Sequence, residues 1–225
     1  MSNIIEITNL SKIFKEGDSK LAILKNIELN IKKGEDLAIV GPSGCGKTTL
    51  LQIIGLLDSQ TSGELKFLGQ NITKSNDKIK TNLRKKNIGF IYQFHHLMPE
   101  FTALENAIMP LLINGVNKKE AIIQGKEMLA NLGLAESFNK RPSKLSGGEK
   151  QRVAVARGMI HKPDILLADE PTGNLDPENA HKIFEMFLTQ VKKAKQTTII
   201  VTHNLELAKK LSKSITIKSG KIARI

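Results

Sequence analysis

One octapeptide constrains this chain more than any other: Gly41-Pro42-Ser43-Gly44-Cys45-Gly46-Lys47-Thr48. It follows the short apolar run Leu37 to Val40, which reads as a buried strand, and precedes the helical run Thr49 to Leu57. Glycines at a strand-to-helix junction let the backbone turn so that its N–H groups point inward at an anion. The helix N-terminus adds a favourable dipole. Lys47 supplies a positive charge for the β- and γ-phosphates of a nucleotide, and the Thr48 hydroxyl is a ligand for Mg2+. Cys45 reads as a small residue that the loop tolerates. The spacing predicts a nucleotide-binding loop from Gly41 to Thr49.

Apolar runs alternate with helical patterns along the rest of the chain, which predicts an α/β fold. Ile4 to Ile7 and the alternating Ile27, Leu29 and Ile31 read as half-buried strands. Ile88 to Tyr92, Ile165 to Ala168 and Thr197 to Val201 read as buried ones. Ile215 to Ile217 and Lys221 to Ile225, joined by Ser219-Gly220, predict a hairpin. From about Phe94 to Ile160 the pattern is mostly helical, punctuated by Pro99, Pro110 and Pro142. This predicts a strand-rich core at about 1–93 and 161–225, carrying an inserted helical subdomain at about 94–160.

Composition narrows the function classes. Apolar residues make up 40% of the 225 and charged residues 25%, the proportions of a soluble globular chain. No apolar stretch approaches the roughly 18–20 residues that cross a bilayer, since Leu50 to Leu57 is broken by Gln52 and Gly55. Met1 to Ser11 carries Glu6 and alternates like a strand, unlike a signal peptide. A single cysteine excludes an internal disulfide and fits a reducing compartment. The net charge of +12 is scattered in short lysine pairs. Only five of the 34 basic residues are arginine, Trp is absent and Tyr92 is the only tyrosine. Base reading and base stacking are therefore poorly supplied, and the charge favours a solvated or membrane-facing surface over a nucleic-acid footprint.

Two further segments carry chemistry. Ile165-Leu166-Leu167-Ala168-Asp169-Glu170 is a buried-strand pattern ending in two carboxylates, one suited to a metal and the next to polarising an attacking water. Leu145-Ser146-Gly147-Gly148-Glu149-Lys150-Gln151-Arg152 opens a helix, with Ser146 and Glu149 spaced as a capping box. Its glycines bare backbone N–H groups at a helix N-terminus, a second anion-binding feature.

With this segment in view, the whole chain resembles the ABC ATPase family, whose signature is L-S-G-G-x-x-Q. That resemblance implies a P-loop NTPase of the ABC type, with a mixed and largely parallel sheet core, an antiparallel β subdomain and the inserted α-helical subdomain. It implies ATP and Mg2+ as ligands. Phe14 takes the aromatic position that stacks on adenine, with a ring but no hydroxyl. Gly41, Pro42, Ser43, Gly44, Cys45, Gly46, Lys47, Thr48 and Thr49 hold the phosphates, and Thr48, Gln93 and Asp169 serve the metal. Glu170 takes the catalytic position, His203 that of the switch histidine, and Gln93 that of the sensing glutamine. Asn174-Leu175-Asp176 matches the D-loop. The family mechanism implies a head-to-tail dimer in which Ser146, Gly147 and Gly148 face the phosphate loop of a second copy, with Asp176 a further nucleotide-binding position.

No long coiled coil fits between Lys47 and Ser146, and the chain carries one cassette, so DNA- and ribosome-acting members are the remote alternatives. The stretch Gln93-Phe94-His95-His96-Leu97-Met98-Pro99-Glu100-Phe101-Thr102-Ala103-Leu104-Glu105-Asn106, with Met109 to Ile113, resembles the lipoprotein-releasing branch of the family in Gram-negative bacteria. Efflux-pump and cell-division ATPases are the nearer alternatives. The resemblance implies a peripheral protein on the cytoplasmic face of the inner membrane, touching transmembrane subunits through Gln93 to Asn106. Neither cargo nor nucleic acid is expected to contact it. The alternative reading of this stretch is a loop and first helix of the inserted lobe, with Phe94, Leu97 and Met98 as core.

Overall fold

The computed structural model describes residues 2–17 and 19–224. Strands β1 (Asn3–Glu16), β2 (Ser19–Lys32) and β3 (Asp36–Val40) come first, then helix α1 (Lys47–Ile54), β4 (Ser62–Phe67), β5 (Gln70–Asn71) and α2 (Asp77–Asn87). The middle of the chain forms β6 (Ile88–Ile91), α3 (Ala103–Ile113), α4 (Lys118–Asn131) and α5 (Gly147–Met159). It closes with β7 (Ile165–Asp169), α6 (Pro177–Ala194), β8 (Thr197–Val201), α7 (Leu205–Ala208), β9 (Lys213–Lys218) and β10 (Lys221–Arg224). These elements fall into two units, Met1–Arg84 with Gln196–Ile225, and Lys85–Lys195.

In the first unit, β2, β1, β4 and β5 pair in that order as an antiparallel sheet. The alternation of Ile27, Leu29 and Ile31 puts all three on the buried face, with Ile5 opposite Ile31 and Ile7 opposite Leu29. Sequence periodicity did not reveal β4, because only Leu65 and Phe67 of Ser62–Phe67 are buried apolar residues. A second sheet places β3 between β8 and β9, parallel to both. Leu37 to Val40 and Ile199 to Val201 are buried on both faces, as their continuous apolar runs require. The hairpin of β9 and β10 turns through Ser219 and Gly220, both at positive φ. Ile225, the end of that expected hairpin, lies outside the described residues, as does Met1. Helix α1 buries Leu50, Leu51, Ile53 and Ile54 and stops three residues short of the expected Leu57, where Leu56 turns to φ 58°.

In the second unit, β6 and β7 pair in parallel, Gly89 opposite Leu166 and Ile91 opposite Ala168. Helix α5 lies on β6 so closely that a Cβ on Gly89 would stand 2.0 Å from the Gly158 carbonyl oxygen. Helix α3 packs against α4 and α5. Pro110 lies inside α3 rather than ending it. Burial of Ala107, Ile108 and Leu111 carries the helix past the hydrogen bond that proline cannot donate. Among the described residues no helix is long and apolar enough to cross a membrane.

Candidate functional site

The loop after β3 is shaped by glycines at positive φ. Gly46 has φ 103°, and a Cβ there would press on Ile23 Cγ2 at 2.9 Å and Leu24 Cδ2 at 3.0 Å. Conformation and space both restrict this position to glycine. Gly46 caps α1 without a side-chain hydrogen bond, and the first turn of α1 holds no acidic residue. No cap side chain and no first-turn carboxylate therefore competes with an anion at this helix N-terminus. Lys47 is buried to 8% exposure, and its Nζ donates to the carbonyl oxygens of Gly41 and Pro42, each at 2.9 Å. Two of its three donors therefore lock the loop into a ring around the ammonium group. Pro42, Ser43, Gly44 and Thr48 are exposed, while Cys45 and Thr49 are half-buried.

Two more expected residues sit in the same unit. Phe14, on β1, shows 44% exposure, and Lys12 Nζ stands 4.8 Å from its ring centroid. Lys12 is fixed in turn by Asp58 Oδ1 and the Ser59 carbonyl, both at 2.7 Å. This cation beside the aromatic ring had no signature in the sequence, since Asp58 is 46 positions away. His203 is exposed, just beyond β8. The buried Thr202 before it donates its N–H to the Ile39 carbonyl, and Asn204 after it caps α7.

The second unit gathers another set. Asp169 ends β7 half-buried, and Glu170 follows at φ 48°, a left-handed conformation unusual for glutamate. The chain turns at once, the Gly173 N–H reaching the Glu170 carbonyl at 3.0 Å. A Cβ on Gly173 would lie 3.0 Å from Gln93 Nε2 and 3.4 Å from Glu170 Cβ, so Gln93 and Glu170 converge on this glycine. Gln93 and Asn174 are bonded to each other. Asp176 caps α6, and hydrogen bonds from the Asn179 side chain and then its backbone hold the Asp176 carboxyl below the usual range.

The expected capping box at the start of α5 forms. Ser146 Oγ accepts from the Glu149 N–H at 3.2 Å and Glu149 Oε2 accepts from the Ser146 N–H at 2.8 Å. Ser137 Oγ donates to the other carboxylate oxygen at 2.8 Å. The Ser146 backbone bond first, then Ser137, lowers the Glu149 pKa to about 2. Ser146 and Gly147 are exposed at the helix tip.

The loop after Gln93 is not core. Phe94 is 65% and Met98 40% exposed, and Leu97 is half-buried. Asn106, only 1% exposed, holds this loop: its Oδ1 accepts from the Met98 N–H, and its Nδ2 faces the carbonyls of Met98, Phe101 and Thr102. Arg157 holds it from α5 through the carbonyls of His95 and His96. The only sequence signal for Asn106 was a polar residue within an apolar helix face, and Arg157 gave none.

The structure thus assembles two clusters. Gly41, Pro42, Gly46 and Lys47 meet in the first unit; Gln93, Glu170, Gly173 and Asn174 meet in the second. Among the described residues no three His, Cys, Asp or Glu side chains form a metal cluster.

Comparison with known proteins matches residues 24–173 to the ABC transporter family. The chain is 49% identical to the lipoprotein-releasing system ATP-binding protein LolD of Rickettsia bellii, over 98% of each chain. It is 48% identical to the LolD protein of Pseudoalteromonas translucida, over 97% of this chain and 94% of that one. Among solved structures it resembles the dimeric bacterial ABC transporter cassette MJ0796, with a TM-score of 0.90 and 38% identity over 98% and 97% of the two chains. The same cassette in a post-hydrolysis state bound to ADP and Pi gives a TM-score of 0.90 at 37% identity.

Proposed function

The chain belongs to the ABC transporter family, and from that premise we propose that it powers the release of lipoproteins from the inner membrane towards the outer membrane by hydrolysing ATP. The observation that carries this reading is end-to-end similarity, at 42–49% identity, to relatives named as lipoprotein-releasing ATP-binding proteins. Efflux and cell-division ATPases share the nucleotide motifs, so the assignment to this branch rests on the full length of the match.

Each residue's part follows from its chemistry. Lys47 exchanges the Gly41 and Pro42 carbonyls for the β- and γ-phosphates, and the open N-terminus of α1 receives the phosphate charge. Gly41 to Thr49 form the cradle, with Phe14 stacking on the adenine. Thr48, Asp169 and Gln93 offer hydroxyl, carboxylate and amide oxygens, all hard donors, as Mg2+ requires beside phosphate and water. The bound Mg2+ supplies charge neutralisation at the transferring phosphate. Glu170 polarises the attacking water, and His203 bonds the γ-phosphate.

Ser146 keeps its hydroxyl hydrogen as a donor while its oxygen caps α5. With Gly147, Gly148 and Asp176 it serves the nucleotide of a second copy, in a head-to-tail dimer. ATP then favours the closed dimer, and hydrolysis releases it. The exposed Phe94 and Met98 support docking of transmembrane subunits on Gln93 to Asn106, from the cytoplasmic face of the inner membrane.

Recovery of the chain from native membranes, with identification of what accompanies it, tests this function. A pair of transmembrane subunits is expected, and depletion of the chain should strand lipoproteins in the inner membrane. Recovery with a one-piece efflux permease, or with DNA and no membrane protein, would overturn the reading.

A further inference from the structure

One side chain ties the loop after Gln93 to the helix that begins at Ser146. Arg157 lies in α5, and its guanidinium donates to the His96 carbonyl at 2.6 Å and to the His95 carbonyl at 2.7 Å. Burial pushes the guanidinium pKa down, so these two carbonyls are what offsets the desolvation of a charge that stays on. The corner they grip is constrained from the other side as well. His96 sits at φ 45°, with its ring edge-on to Tyr92 at 5.2 Å, and Tyr92 stacks on Phe90 of β6 at 5.5 Å.

The imidazole of His95 stands near the same helix without bonding it through Nε2. Burial lowers its pKa first and the Lys150 ammonium lowers it further, while the Gly147 backbone beside the ring opposes them. His95 therefore lies against the first turn of α5. On either side of this gripped corner, Phe94 and Met98 face outward.

We propose that Arg157 is a positioning residue that makes the exposed loop 94–98 and helix α5 one lever, so that a transmembrane partner holding Phe94 and Met98 moves Ser146 to Gly148. A helix rises 1.5 Å per residue, so Arg157 stands roughly 16 Å along the axis from Ser146. A rigid helix carries displacement over that length without internal rearrangement. The bidentate fork is what makes the joint stiff, since a lysine there would offer a flexible point charge. This inference rests on the docking reading above and adds the route by which docking reaches the nucleotide.

The test compares the unmodified chain with Arg157→Lys, each alone and as the complex recovered with its transmembrane partner and reconstituted in nanodiscs. The variant is expected to be recovered with the partner and to hydrolyse ATP alone within about twofold of the unmodified chain. Its partner-dependent change in rate should shrink about tenfold, the effect of one lost charge-assisted hydrogen bond. An unchanged response to the partner would overturn the proposal. So would an equal loss in the isolated chain, which marks a merely structural role.

Hydrogen exchange on the unmodified complex, without nucleotide, decides the matter if the variant does not fold. Partner binding should alter exchange at the amides of 147–149 as well as at 94–98; a change confined to 94–98 refutes the lever. If the unmodified chain comes off membranes with no transmembrane protein, the docking reading fails and takes the lever with it. A partner that stimulates hydrolysis without involving Arg157 sinks the lever alone.

Discussion

Asn174 grips Gln93 at two points: its Nδ2 donates to the Gln93 backbone carbonyl at 2.8 Å, and the Gln93 side-chain Nε2 donates to Asn174 Oδ1 at 3.4 Å. The orientation of the glutamine amide is thereby set from the turn that follows Glu170. The absent side chain of Gly173 leaves the room for it.

Asn174→Ala removes both bonds from an exposed position, so stability should change little while Gln93 gains freedom. We expect kcat to fall about tenfold with the KM for ATP nearly unchanged, the signature of an interaction needed in the transition state. Steady-state kinetics checks this; a raised KM at constant kcat would speak against it.

Glu170→Gln keeps the side-chain shape at φ 48° and removes the charge proposed to polarise water. Turnover should drop at least about a hundredfold, with ATP binding retained. ATP should also hold the variant as a dimer on size-exclusion chromatography. His203→Ala should behave similarly. Hydrolysis at the unmodified rate in either variant would remove that residue from the mechanism.

Lys47→Ala deletes the proposed donor to phosphate and both bonds that close the loop. ATP affinity should weaken roughly 10- to 100-fold, as expected for losing charge-assisted hydrogen bonds. Calorimetric titration reads this directly, and ATP should no longer raise the melting temperature at concentrations that protect the unmodified chain.

The depressed pKa of Glu149 makes a signed prediction. Its carboxyl titrates at about 2 when folded and near the usual 4.5 when unfolded. The stabilisation is therefore fully present above pH 4.5 and is lost as pH falls towards 2. Glu149→Gln preserves an acceptor for the Ser146 N–H and cannot titrate. Denaturant midpoints at pH 7 and pH 3 should converge between variant and parent as acid is added; a constant difference would contradict the assignment.

Gly89→Ala would set a methyl group 2.0 Å from the Gly158 carbonyl, a backbone atom that cannot swing aside. Helix α5 must move off β6, and overpacking of this kind costs about 1–3 kcal/mol or more. Thermal unfolding measures it. Gly115→Ala, where no atom lies within 4 Å but φ is 85°, should lose only the smaller strain of a left-handed alanine.

Much of the site was legible because its chemistry is local. The loop 41–48 and the capping box of Ser146 and Glu149 need only backbone and side-chain groups a few positions apart, so their spacing announces them. Continuous apolar runs such as Ile165 to Ala168 reveal buried strands for the same reason. The polar strand β4 escaped because half of it faces water, and Pro110 misled because packing kept α3 intact around it.

Other features depend on partners far along the chain. Gln93 meets Asn174 across 81 positions, Arg157 meets His95 across 62, and Lys12 meets Asp58 across 46. No periodicity encodes such pairs, since any amide or cation can serve any carbonyl that folding brings within reach. The exposure of Phe94 and Met98 is equally a tertiary outcome, because an apolar residue is read as core until its neighbours leave it uncovered. Sequence alone determined the nucleotide loop and the capping box and pointed to the groups proposed for hydrolysis, because phosphate chemistry demands particular residues at short fixed spacings. Only the tertiary structure decided which side chains aim those groups and tie them to an exposed surface, because long-range hydrogen bonds are chosen by proximity in space.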